Sequence, residues 1–353
     1  MGTTLKKVKP MKAKGKFSLY TFHFLIFTYY FLVVVGCDKP FWTPVDLPAA
    51  VSVDDLVPEA TRIVQQGLAD ENPYVRVNAI EVVATTGQVR LMPKVQRLLE
   101  NDFVSPVRFT AAVAVGDTEY RLGEKSLRPL LNDPDENIRI AAAYALSKLS
   151  SFDTFDSFDY LCKAIASDDQ MVRANAALLL GKSGDKRALK FLYIVLRRED
   201  SDDIVRLNAA EAIARLGDEW IFPRLWAMVM SAYADDRIMG IRAMGALGTA
   251  KAKDVLITKL DDDILAVRLA AAEQLGMLGD ATGEPEVLDV FKKNLTARLN
   301  KEQTEHVNMF TALAIGRIGT ASLTRFLPQL LGDESKFVRI AAAKAVFQCM
   351  TRD

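Results

Sequence analysis

Val205–Asp218 reads VRLNAAEAIARLGD, and the chain rewrites that phrase along most of its length. It returns as VRANAALLLGKSGD from Val172, VRLAAAEQLGMLGD from Val267, IRIAAAYALSKL from Ile138 and VRIAAAKAVFQ from Val338. Looser copies begin at Val75, Val107, Asp236 and Val307. An arginine marks the register at Arg76, Arg108, Arg139, Arg173, Arg206, Arg237, Arg268 and Arg339, with spacings of 32, 31, 34, 33, 31, 31 and 71. The long gap holds one more copy, VNMFTALAIGRIGT, with Asn308 in the arginine's place. Nine copies at a period of about 33 residues point to a helical solenoid.

Each phrase has the pattern of a helix. Val205, Ala209, Ala212, Ile213 and Leu216 form one apolar stripe on a 3.6-residue period. Its alanines let another helix come close. Gly217 follows, where a left-handed helix end is cheap. A second apolar run precedes each phrase, as in LMPKVQRLLEND, SLRPLLNDPD, ALKFLYIVLRRED and SLTRFLPQLLGDE. Pro93, Pro129 and Pro328 suit the early turns of those runs. The unit is therefore helix, turn, helix.

The repeated arginine falls in a first helical turn, where the macrodipole disfavours a cation. Asp70, Asp102, Asp133, Asp168, Asp202, Asp262 and Asp333 lie a few residues upstream of the copies. Charge-assisted pairing within or between repeats resolves the conflict. The eight arginines accordingly read as a structural ladder rather than a nucleic-acid stripe.

The pattern D-x-x-x-x-VR-x-x-AA-x-AL-x-x-LGD resembles the HEAT repeat, in the short form named after phycobilisome lyases, over residues 54–352. The resemblance implies an all-α, right-handed solenoid of about nine helix-turn-helix repeats. It is specific for fold and weak for function, because that family includes scaffolds, bilin lyases and a metal-dependent hydroxylase.

The first residues follow another rule. MGTTLKKVKPMKAKGK carries six lysines and no acid, and Phe17–Val35 runs without a charge. That layout, followed by VVGC, resembles a bacterial lipoprotein signal, with Cys37 as the residue that receives lipid. The expected division is a signal peptide or uncleaved anchor at 1–36, a Pro-rich tether at 37–53 and repeats at 54–352. Under that reading the repeats sit in the bacterial cell envelope, on the periplasmic or extracellular side, held to the membrane by lipid. The whole chain balances at 45 basic and 45 acidic residues. Without residues 1–37 the balance is 39 against 45, which argues against nucleic acid. Cys162 and Cys349 lie in apolar helical contexts and read as core residues.

Catalytic signals are sparse. The two histidines, His23 and His306, do not supply the paired His-Glu ligands of the hydroxylase. Gly181–Asp185 has the letters of a phosphate loop without its upstream glycine, since position 176 is alanine. The expectation is a chain with no catalysis and no cofactor. It would act as a membrane-anchored scaffold that holds a partner protein on its concave face. A lyase-type enzyme or enzyme-accessory subunit is the alternative.

The third, sixth and tenth residues after each phrase's first point away from the core stripe. Most are polar, among them Glu81, Asp117, Lys182, Glu211, Glu273 and Lys344. Val113, Tyr144, Leu178, Met239, Met277, Phe310 and Leu313 break that rule. With Arg242 and Arg317 they are the expected partner-binding residues. The last repeat ends without a polar terminal helix, so an uncapped end is expected to support a homodimer.

Overall fold

The computed structural model describes residues 48–149 and 157–351. They contain helices and no strand. Nine second helices carry the repeated phrase: α1 (Pro73–Thr85), α2 (Ser105–Asp117), α3 (Glu136–Leu149), α4 (Gln170–Ser183), α5 (Asp203–Arg215), α6 (Ala234–Leu247), α7 (Leu265–Met277), α8 (Lys301–Ile318) and α9 (Lys336–Met350). A first helix, in most repeats shorter than the second, precedes them, and Val53–Gly67 precedes α1. Pro93 and Pro328 sit in the first turn of their helices, and Pro129 is the second residue of a 3₁₀ segment, Arg128–Asn132, that ends in the turn before α3.

The apolar stripe is the core. Val205, Ala209, Ala212, Ile213 and Leu216 are all buried. Successive second helices pack directly on one another because small residues face each other. At Gly181 an added Cβ would stand 2.7 Å from the Ala212 Cα, a backbone contact that no side chain can relieve. Helix ends follow the sequence rules. Asp169, Asp202 and Ser335 accept first-turn backbone N–H groups. Gly217 has φ +76°, the left-handed end its position requires.

The arginine ladder runs partly between repeats and partly within them. Arg76 forms a two-pronged pair with Asp102 of the next turn, at 2.7 Å and 3.0 Å, and its Nη1 donates to the Asp70 and Glu71 carbonyls. Arg237 also reaches forward, its Nη2 donating to both Asp262 and Asp263, at 3.1 Å and 3.0 Å. Arg139, Arg206 and Arg339 each donate to two carbonyls of the turn that precedes their own helix. Arg173 is fully buried between the Ser167 and Asp200 carbonyls. Arg268 pairs with Glu286, and Arg108 lies 3.6 Å from Asp133. Asn308 keeps the link where arginine is lost, donating to Asp333 at 3.0 Å. Repeat eight owes its length to α8, whose start is fixed by a capping box between Asn300 and Gln303.

The turn after α7 adds a pH signature. Lys253 donates to Asp280 at 2.7 Å, and Thr282 donates to it through both hydroxyl and backbone. These bonds hold the Asp280 carboxyl down at about 2, against an ordinary value of 3.8. A carboxyl depressed by folding stabilises the native state above its unfolded pKa and stops doing so as pH falls through the folded one. Asp280→Asn is therefore expected to lower the urea midpoint at neutral pH. That difference should fade between pH 4 and 2, and a constant difference across this window would refute the assignment.

The end of the solenoid is not open. The helix Val53–Gly67 and α1 pack against α9, so the first repeat covers the last. Lys336 bridges to Asp70 at 2.7 Å, and Ile340 is wedged against Gly67. Phe347, Gln348 and Cys349, near the end of α9, are buried, as expected of Cys349 as a core residue. This corrects the homodimer expectation: the apolar surface meant for a second copy is satisfied within the chain. Nine repeats of steady curvature bring the two ends together, and the second helices form a closed ring.

Candidate functional site

Ring closure makes the inward positions of distant repeats face one another. Lys182 on α4 reaches Asp117 on α2 at 2.6 Å, past the intervening α3. The Tyr144 hydroxyl of α3 donates to the same carboxylate at 2.6 Å. Arg242 on α6 stands over the Phe310 ring of α8, 5.8 Å from its centroid, past α7. Contacts between alternate repeats require tight curvature.

Charged groups from the rest of the ring meet around Lys344 of α9. Its ammonium feels Glu273 and Glu81 as attraction and Arg317 and Arg242 as repulsion. Burial pushes the Lys344 pKa below the usual lysine range, and the two carboxylates only partly restore it. Burial also raises the Glu81 carboxyl, against the pull of Lys344, Lys182 and Arg242. Glu81 nevertheless keeps open surface. Both facts hold for a side chain that keeps solvent-accessible surface while protein crowds around it. Glu273 is 9% exposed, and its Oε2 is buried without a hydrogen-bond partner.

The same curvature decides where the expected partner-binding residues go. Val113, Tyr144 and Phe310 are buried, which corrects their assignment to an open face. Leu178, Met239, Leu313, Arg242 and Arg317 are half-buried, and Met277 is exposed. Sequence periodicity placed all nine on the inner face. It missed that the polar members of the same set, Glu81, Lys182, Glu273 and Lys344, gather into one cluster. The signal was there in their shared register, but the ring that joins them was not.

Other candidates stay apart. His306 is exposed and stacks on Phe310, with ring centroids 5.2 Å apart. Burial pushes the Cys162 thiol up to about 11, which makes it an inert thiol. Among the described residues no group of three or more His, Cys, Asp or Glu is placed to hold a metal ion. Among them, too, no helix is long and apolar enough to cross a membrane. The signal segment, Cys37 and most of the tether lie outside the described residues.

Comparison with known proteins changes the functional reading. The chain is 31% identical over 110 residues to phycocyanobilin lyase subunit alpha of a Picosynechococcus species. That match takes in 30% of this chain and spans 41% of the relative's length. A solved complex of two phycocyanin lyase subunits from Nostoc aligns at 18% identity and a TM-score of 0.40, covering 72% of this chain and 93% of that one. Human deoxyhypusine hydroxylase aligns at 17% identity and a TM-score of 0.31, covering 67% and 99%. At such scores the solved structures carry no argument, and the fold rests on the helices themselves. The lyase-subunit similarity, however, overturns the expectation of a scaffold without catalysis. The curated relative is named as one subunit of a lyase. The HEAT-repeat profile matches residues 125–214, 158–237 and 222–306, just over half of the sequence, so the chain belongs to the HEAT-repeat family.

Proposed function

We propose that this chain is a lyase-type subunit or enzyme-accessory subunit that works together with a second protein. The observation that carries the reading is the 31% identity to a phycocyanobilin lyase subunit alpha. A protein named as one subunit of a lyase works with others, and the same division of labour is proposed here. The ring agrees with it in kind. Its inner face presents half-buried apolar residues, Leu178, Met239 and Leu313, beside a cluster of charged groups. Binding sites for organic molecules combine these features, an apolar lining with a few polar groups that fix orientation.

The test is reconstitution. The purified chain is mixed with phycocyanobilin, a cysteine-containing phycocyanin apoprotein and a candidate second subunit. Under this reading, chromophore that stays on the apoprotein after acid denaturation forms faster with both subunits than with either alone. The spectrum of the free pigment should also shift on addition of the chain. Equal rates with and without the chain, together with an unshifted spectrum, would refute the proposal.

A further inference from the structure

The ladder has one rung that does not close. Its forward links keep a register: Arg76 meets Asp102, Arg108 meets Asp133, Arg237 meets Asp262 and Asn308 meets Asp333. Each of those aspartates stands six residues before the arginine of its own repeat. Asp70 holds the same place before Arg76, so in a closed ring the ninth rung would join Arg339 to Asp70.

Asp70 is already taken. Lys336 donates to its Oδ2 at 2.7 Å, and the Asn72 backbone N–H donates to its Oδ1 at 3.0 Å. The Arg339 Nη1 donates to the Asp333 and Glu334 carbonyls, and among the described residues its Nε and Nη2 meet no acceptor. The other ladder arginines each have a side-chain partner. Even those without a forward aspartate find one, Arg139 in Tyr160 and Glu136, and Arg206 in Asp203. Glu59 acts on Arg339 only through space, and both of its oxygens accept from Arg62.

At this open rung the seam between first and last repeats leaves a cleft of about 200 Å³, which Arg339, Lys336, Gln66 and Asp70 line. Buried Ile63, Val75 and Ile340 add an apolar lining. The cleft is smaller than the roughly 300–1,000 Å³ of a drug-sized pocket, so it suits a small molecule. Two cations and one carboxylate leave the lining with a single positive charge. The unused edge of a guanidinium offers two parallel N–H groups, the geometry that a carboxylate accepts best.

We propose that the seam cleft binds a small aliphatic monocarboxylate. Its carboxylate completes the open rung on Arg339, and its short carbon chain lies against Ile63, Val75 and Ile340. The site stands apart from the lyase-type reading and needs no second subunit.

NMR titration of propionate, labelled with carbon-13 at the carboxyl, against the full chain tests this. One equivalent should bind with a Kd below about 10 mM, and propionamide, of the same size without the charge, at least tenfold more weakly. Arg339→Gln should weaken propionate at least tenfold while circular dichroism stays unchanged. Should that variant fail to fold, Lys336→Gln takes its place, since the Lys336 side chain is 54% exposed. It removes one cation and frees Asp70 to pair with Arg339, so it too should weaken propionate at least tenfold. Absence of binding at about 50 mM overturns the proposal, as does equal affinity for propionamide or unchanged affinity in the variant that folds. Tighter binding of N-acetyl-diglycine than of propionate overturns it as well, because the cleft would then take the end of a peptide rather than a free acid.

Discussion

Asp102→Ala should cost the fold about 3–5 kcal/mol, the range for removing one partner of a buried ion pair. The pair it breaks is closed from both sides: the Arg76 and Asp102 side chains are only 7% and 5% exposed. Asp102 does two jobs, since its Oδ1 also accepts from the Val104 backbone N–H at the start of α2. With the carboxylate gone, the Arg76 guanidinium stays buried between the Asp70 and Glu71 carbonyls without its counter-charge. The exposed pair Arg62–Glu59 is the control, with side chains 55% and 42% open, and Glu59→Ala should change stability by about 0–1 kcal/mol. Chemical denaturation measures both. The double change Arg76→Met with Asp102→Leu should recover much of the loss, because the cost lies in the orphaned charge. A loss below about 1 kcal/mol for Asp102→Ala would show that the ladder is decoration on the packing.

Ile340→Ala is expected to cost about 2–5 kcal/mol, the usual range for emptying a buried aliphatic site. Its pattern is more telling than its size. Ile340 is 4% exposed and fills the seam beside Gly67, where the two ends of the repeat region meet. In a closed ring, loosening that seam weakens Val53–Gly67 and α9 together, although they stand at opposite ends of the described sequence. In an open stack the damage would remain in the last repeat, since each repeat then touches only its neighbours in sequence. Hydrogen exchange on the variant separates the two outcomes. Faster exchange confined to α9 would rule out ring closure, whereas joint loss of protection at both ends supports it.

Particular residues show how far the sequence could be read. The stripe Val205, Ala209, Ala212, Ile213, Leu216 and the stop at Gly217 predict both helix and core, because burial along a helix depends on local periodicity alone. The ladder was legible as chemistry: arginine in a first turn with aspartate nearby demands pairing. Its direction was not, since the partner of Arg76 lies 26 residues on, across an interface between repeats. Tyr144 and Phe310 were misread for a related reason. Their positions face inward, but whether an inward face is open depends on curvature, and curvature is the sum of small rotations between all the repeats.

From the sequence alone came the unit, its count and its register, because each follows from contacts within some 33 residues. Tertiary structure alone decided that the first repeat seats on the last, that Lys336 meets Asp70, and that Glu81, Glu273 and Lys344 come within electrostatic reach of one another. Those contacts join residues far apart in the chain. Periodicity can assign a side chain to a face, but only the accumulated geometry of nine packed pairs determines what that face meets.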